Sequence, residues 1–288
     1  MIPKVIHYIF GLREDFCGKP FTDFHYLNIV TAWKLNPDYK IKVYYYYEPD
    51  NWQFKALRTF CEVIKLDSVP NTIAGKPVKW GEHACGYLRV SKLLEEGGIY
   101  LDTDVVCIKP FDDLLDFDCI MGLEYSGKMS WGLCDATILA KPGSEFMRLW
   151  KENYDKHYVN DSWNTDAVIV PYELAVKYPK TLRLVPTDFF FKYPWDNDGF
   201  TMMYKAIAPL DYAYTMHLYE SRPGHYQELC KYTIQSVPTM KSTLAYIYRK
   251  VVFGDESIRY AEPNEYIFVW KFSGSSLQFL GGPPILNG

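Results

Sequence analysis

The chain has 288 residues, 48% of them hydrophobic and 23% charged, with a formal net charge of −4. That is ample apolar material for one large α/β domain or two small ones, and it excludes an intrinsically disordered chain. No Lys/Arg run supplies the electrostatic footprint of a nucleic-acid binder, and no stretch approaches the roughly 20 apolar residues of a membrane span.

The opening MIPKVIHYIF is too short for a signal peptide and lacks a cleavage-like site. Seven cysteines, with no C-x-x-C pair and no His/Cys cluster at zinc spacing, read as reduced thiols. A cytoplasmic location is the expectation from both. Lys4 to Phe10 is apolar and predicts a buried first strand ending at Gly11, with His7 as a hydrogen-bonded core residue. IVTAWKLNP is the end of a helix stopped before Pro37. YKIKVYYYYEP is a second strand closed by Pro49, its tyrosines alternating between two faces. WQFKALRTFCEVIKL has helical spacing, and Val69 to Gly81, punctuated by Pro and Gly, reads as a loop.

From Glu82 to Glu96, Ala84, Tyr87, Leu88 and Leu94 follow a helical period, and Gly97 stands where a helix C-terminal glycine belongs. The next strand is IYLDTDVVCI. Asp112 and Asp113 are expected to cap a short helix. CDATILAKP and TLRLVP are later strands, and SEFMRLWKENYDKHY is a helix. Strands alternating with helices predict an α/β fold with a mixed, mainly parallel sheet flanked by helices. No boundary precedes residue 230, so one domain over 1–230 and a C-terminal extension over 231–288 packed on it are expected. Aromatic residues make up 17%; most serve as core, and a few as platforms facing a ligand. DSWNTD (Asp161 to Asp166) reads either as lining for a ligand or as a solvated loop.

The strand IYLDTDVVCI carries a puzzle, since Asp102 and Asp104 are two like charges inside an apolar run. Residues i and i+2 of a strand share a face, here near the C-terminal end of a sheet strand, where open α/β sheets bind their ligands. Two adjacent buried carboxylates repel, and a hard divalent cation such as Mg²⁺ or Mn²⁺ removes the repulsion. One or two carboxylates plus substrate phosphates is the usual Mg²⁺ arrangement, so the pair points to a metal gripping a phosphorylated substrate.

The stretches IPKVIHYIFG and GYLRVSKLLEEGGIYLDTDVVCIKPFDDL resemble the D-x-D sugar-binding region of family-32-type glycosyltransferases, to which clostridial glucosylating toxins and yeast mannosyltransferases are similar. Weaker echoes continue in DATILAKPGSEFMRLW, LRLVPTDFFFKYPW and AYTMHLYESRPG, so the resemblance covers roughly residues 1–225. It implies a GT-A fold, a nucleotide-sugar donor, UDP-sugar being favoured, and transfer to an acceptor hydroxyl of a glycan or glycoconjugate with retention. By the same resemblance Asp104 binds the metal, Mn²⁺ or Mg²⁺. Asp102 contacts the ribose or donor sugar and helps hold the metal. Arg89 reaches the donor sugar or its phosphate, and Phe10 flanks the nucleobase. Asp135 faces the sugar where the family has Asn. His217 and Ser221 complete the metal and diphosphate site, and Arg222 adds charge for the diphosphate. The family's acid three positions before the arginine is Gly86 here, leaving that contact missing or supplied by Glu82.

Two other readings remain open on the residues alone. IYLDTDVV also resembles the haloacid-dehalogenase signature, with Asp102 as nucleophile and VVFGDESIR as its late motif. A degenerate nucleotide-sugar-binding module would account for Gly86.

Overall fold

A computed structural model describes residues 1–126, 129–255, 270–273 and 276–279. Its centre is a seven-stranded sheet. In chain order the elements that build the site are β1 (Val5–Ile9), α1 (Asp23–Leu35), β2 (Lys40–Tyr45), β3 (Glu62–Lys65), α2 (Gly81–Glu96) and β4 (Gly98–Leu101). They continue with β5 (Val105–Cys107), β6 (Cys119–Ser126), β7 (Met129–Ala140), α3 (Glu145–His157), α4 (Val170–Lys177) and β8 (Arg183–Val185). Last come α5 (Asn197–Tyr204), β9 (Thr215–His217) and α6 (Thr243–Val251).

The strand order is β8-β6-β7-β4-β1-β2-β3. All neighbours run parallel except β6 with β7 and β7 with β4, which are antiparallel. The expected mixed, mainly parallel sheet flanked by helices is therefore what forms. Successive side chains of a strand enter opposite faces. Ile6, Tyr8, Ile99 and Leu101 join one core, against α1. Ile9, Tyr44, Tyr100 and Ile138 join the other, against α2 and α3. Tyr44 and Tyr45 divide between the two cores, as the period of two requires. A third core lies under the far side of α1, where α5, β9 and α6 meet it. There the Tyr248 hydroxyl donates to Asn28 Oδ1 at 2.7 Å.

Several expected elements differ. WQFKALRTFCEVIKL is not one helix: a short helix, Trp52–Ala56, and a single 3₁₀ turn, Leu57–Thr59, give way to the edge strand β3. The β-branched Val63 and Ile64 pair with β2, and tertiary pairing overrides local spacing. Val69 to Gly81 is largely loop but holds a two-residue hairpin, Thr72–Ile73 with Lys76–Pro77. Asp112 and Asp113 do not cap by side chain; they lie in the first turn of Asp112–Leu114. Asp112 pairs with Lys4 at 2.7 Å and Asp113 accepts from the Tyr214 hydroxyl at 2.5 Å. His7 is fully buried and bonded through Nε2 to the Gly97 carbonyl at 2.8 Å. All seven cysteines are free thiols. Among the described residues no helix is long and apolar enough to cross a membrane. Most of the segment 256–288, including the end of VVFGDESIR, lies outside the described residues.

The junction between α2 and β4 needs its two glycines. Gly97 ends α2 with φ +65°, and its N–H caps the Leu93 carbonyl at 3.0 Å. Gly98 starts the central strand with φ +108°, and a Cβ there would lie 2.6 Å from the Val5 carbonyl oxygen of β1. Gly98→Ala is expected to destabilise the fold by roughly 2–3 kcal/mol, read as a lower urea midpoint at unchanged m-value. An unchanged midpoint would show that β1 and β4 tolerate separation at this point.

Candidate active site

The strand expected over IYLDTDVVCI breaks in two. β4 ends at Leu101, and Asp102, Thr103 and Asp104 form a turn that Val105 N closes on the Asp102 carbonyl at 3.0 Å. The chain then leaves the main sheet and enters β5, which pairs with β9 instead. The aspartates thus meet through a turn at the end of a central strand and not through the pleat. Burying two carboxylates inside a paired strand would leave them without donors, whereas a turn exposes backbone N–H groups to them.

Three neighbours fasten this turn. Asn28 of α1 donates its side-chain amide to the Thr103 carbonyl at 2.9 Å, and Asp102 N donates to Ala136 of β7 at 2.9 Å. From the loop after β9, Leu218 N donates to the Asp104 carbonyl and Glu220 N to Asp104 Oδ2, each at 2.9 Å. The antiparallel register sets His217 opposite Val105, directly beside Asp104. His217 Nε2 lies 3.2 Å from Asp104 Oδ2. That loop is itself held by His25, whose Nε2 lies 2.9 Å from Glu220 Oε2.

Arg89 is buried, and its guanidinium spans the carboxylates on the other side of the turn. It lies 3.1 Å from Asp102 and 3.1 Å from Asp135 of β7, and it donates to the Asp135 carbonyl at 2.6 Å. Its plane stacks over Tyr100, 4.4 Å from the ring centre, and the Tyr100 hydroxyl donates to Asp102 Oδ1 at 2.7 Å. A solvated arginine paired with Glu82, Glu95 or Glu96 is not what forms. In the structure its charge serves Asp102 and Asp135 first.

Gly86, where the family's acid is absent, faces the same cluster. A Cβ there would come 2.7 Å from the Tyr154 hydroxyl and 3.9 Å from Asp135 Oδ2. The Tyr154 hydroxyl of α3 occupies the space, so a side chain at 86 would have to displace it. Glu82, one turn earlier on α2, also lines the cleft.

These groups open onto a cleft of about 540 Å³. Phe10 lies on its wall at the end of β1, in ring contact with Phe16, Phe21 and His25. Ser221 and Arg222 also line it, with the Arg222 guanidinium 3.9 Å over the Trp195 ring. The structure therefore brings Phe10, Arg89, Asp102, Asp104, Asp135, His217, Ser221 and Arg222 to one cavity.

Two residues in it escaped the sequence reading. Glu124 of β6 is buried and lines the cleft; a carboxylate inside the apolar run IMGLEYS is the same signal that marks the Asp pair. Tyr219 is 4% exposed, sits at φ +51° and has a hydroxyl with no hydrogen-bond partner among the described residues. Nothing in the local sequence announces it, because its strain comes from the contacts of the loop around it.

Four carboxyl groups, from Asp102, Asp104, Glu124 and Asp135, gather around Arg89 and His217, with Arg222 also acting on Glu124 and His25 on Asp104. Burial pushes the Asp104 carboxyl up, but His217 and the Glu220 N–H outweigh it and hold it at about 2. Burial pushes His217 down, and Asp104 more than restores it. Glu124 is raised by burial. Asp135 is raised to about 6, by burial and by the charges of Asp102 and Glu124, against the pull of Arg89.

Because the folded-state value of Asp135 lies above its free value of 3.8, its contribution to stability is complete below that value and is lost as pH rises to about 6. Asp135→Asn fixes the neutral form. The Tm advantage of this variant over wild type, measured without metal, is expected to grow from about pH 4 to pH 6 and then level off. A difference that stays flat across that window would mean Arg89 keeps Asp135 ionised.

Asp102, Asp104 and His217 each offer a ligand atom, and these atoms lie within 4.8 Å of one another. The donor set fits a divalent cation, since two carboxylates and an imidazole suit Mn²⁺ and the cluster is short of positive charge.

Residues 25–121 match the family described as the glycosyltransferase sugar-binding region containing a DXD motif. "Glucan organizing enzyme 1" of Cryptococcus neoformans var. grubii serotype A is 30% identical over 254 residues, covering 82% of this chain and 67% of that protein. Among solved structures, the glycosyltransferase GlyE of Streptococcus pneumoniae TIGR4 is 14% identical, covering 65% of this chain and 46% of that one at a TM-score of 0.42. The galactosyltransferase LgtC with donor and acceptor sugar analogues is 12% identical, covering 78% of this chain and 95% of that one at a TM-score of 0.40. The assignment rests on the family match and the fungal relative, not on these structural likenesses. It removes the haloacid-dehalogenase reading, whose nucleophile Asp102 is here engaged by Arg89 and Tyr100. The chain belongs to the glycosyltransferases whose sugar-binding region carries the DXD motif, here Asp102–Thr103–Asp104, on a mixed, mainly parallel sheet.

Proposed function

We propose that this enzyme moves a sugar from a UDP-sugar to a hydroxyl of a glycan or glycoconjugate, with retention at the anomeric carbon, and that it needs a divalent cation, Mn²⁺ before Mg²⁺. The observation that carries this reading is the convergence of Asp102, Asp104 and His217 in a cleft whose lining also holds Arg13, Lys19 and Arg222. Carboxylates and cations lining one cleft suit a metal diphosphate. The imidazole in the donor set favours Mn²⁺ over the harder Mg²⁺. Retention and the uridine base are carried over from the family resemblance.

Asp102, Asp104 and His217 would hold the ion, which when bound would neutralise charge on the departing diphosphate. Arg89 and Tyr100 hold the Asp102 carboxylate in one orientation, and the Glu220 N–H does the same for Asp104. Fixing them in advance removes reorganisation from the reaction step. Phe10 offers a ring edge or face to the nucleobase, and Arg222 a charge to the diphosphate. As the acceptor oxygen bonds to the anomeric carbon, the bond from that carbon to phosphate oxygen breaks, and the acceptor proton leaves with the diphosphate. The name of the fungal relative points to glucan, which is consistent with a glycan acceptor.

UDP with Mn²⁺ is expected to raise the Tm, and EDTA to reverse the rise. Asp104→Asn should abolish the Mn²⁺-dependent part and lower sugar transfer by about two to three orders of magnitude. Proton NMR of the product anomer reads the stereochemistry. A nucleotide effect indifferent to metal would sink the cation requirement, and an inverted product would sink retention.

A further inference from the structure

We propose that Trp163, Asn164 and Asp166 form the acceptor seat, and that its occupant is an uncharged sugar ring. This rests on the transferase reading above and specifies its acceptor.

Trp163 is 44% exposed on the wall of the cleft that holds the two aspartates. An indole left in water beside a reaction centre is an open apolar face. Trp80, at the start of α2, supports it edge-on with ring centres 5.9 Å apart. Asp166 lies in the same wall and is only 4% exposed. One of its oxygens accepts from Val159 N at 2.9 Å, while Oδ1 has no partner among the described residues. A buried carboxylate oxygen without a donor is costly, so a ligand hydroxyl is the group that completes it. Asn164, also in the wall, adds an amide that both donates and accepts.

The backbone holds these residues in place. Thr165–Ile169 is a single π turn, in which Val168 N and Ile169 N both donate to the Asn164 carbonyl, at 2.9 and 3.1 Å. Such turns recur at functional sites. The Trp150 indole donates to the Asp166 carbonyl at 2.8 Å. Lys76 ties down the Tyr158 carbonyl at 2.6 Å, and His83 bonds the Tyr158 hydroxyl. A loop fastened at both ends does not lose entropy again on binding.

A flat aromatic face beside a carboxylate and an amide matches one ligand chemistry: a ring with an apolar C–H face and a rim of hydroxyls. The carboxylate also repels phosphate, which argues against an anionic headgroup and against the donor diphosphate at this position.

The test is saturation-transfer NMR on the whole chain with laminaritriose, cellotriose, maltotriose and mannotriose as probes. At least one should receive saturation, strongest on its ring C–H protons. Trp163→Ala should weaken that binding at least roughly tenfold, and Trp163→Phe should restore most of it. The rise in Tm with UDP and Mn²⁺ should be the same in Trp163→Ala as in wild type. Trp163 is exposed, so the substitution spares the core. Failure of all four trisaccharides to bind overturns the proposal, as does loss of the UDP–Mn²⁺ shift in Trp163→Ala, which would give the indole to the donor. Should wild type bind a trisaccharide through Trp163 yet show no UDP–Mn²⁺ shift, this seat stands and the donor reading falls.

Discussion

One guanidinium decides this site. Arg89 stands buried between Asp102 and Asp135, and without it two carboxyls would face each other across low-dielectric space. Everything near it serves that placement. Tyr100 stacks against it, Gly86 leaves room for the Tyr154 hydroxyl beside it, and Gly97–Gly98 turns the helix that carries it into the strand that leads to Asp102. Arg89 nonetheless leaves the cluster short of positive charge. That shortage makes the same arrangement costly as an isolated protein core and suitable as a cation site.

The second half of the site comes from far along the chain. β9 leaves the main sheet to pair with β5, and this small antiparallel pair sets His217 against Asp104. The following loop is bound at Asp104, at His25 and, through the Leu218 carbonyl, at Tyr204 and His225. Tyr219 takes a left-handed conformation within it. A loop held at so many points can keep a strained residue, because the surrounding hydrogen bonds outweigh the local cost. The cleft thus takes carboxylates from strands, Glu124 and Asp135, and from the turn that ends a central strand, Asp102 and Asp104, while connecting segments supply the rest of its lining, the usual division of labour in α/β enzymes.

Much of the first half of the fold was legible in the sequence. β1, β2, α2 and the glycines after α2 follow from apolar periodicity and helix-end chemistry, which are local. EVIKL was misread because four residues of an edge strand carry no period that distinguishes them from helix. The broken strand at Leu101 was missed because DTD sits between two apolar runs that read as one. β6 and the helices α5 and α6 were not foreseen; their burial comes from packing on β7 and α1, and a local pattern does not show it. Of the site, the D-x-D pair is readable from residue type and spacing, whereas Arg89, Phe10, Asp135, His217, Ser221 and Arg222 are readable only through the family resemblance. Glu124 carries the same local signal as the D-x-D pair, a carboxylate inside an apolar run, whereas Tyr219 carries none.

By itself the sequence determined that a pair of carboxylates follows a glycine-broken helix and precedes an apolar strand, a property of neighbours in the chain, where residue type and spacing act directly. That the chain belongs with sugar transferases came through its resemblance to them, not through local spacing. Tertiary structure alone decided that the aspartates lie on a turn, that Arg89 spends its charge on Asp102 and Asp135, and that His217 and Trp163 share their cleft. Each of those depends on segments far apart in sequence being held together by burial and hydrogen bonding, which no local pattern encodes.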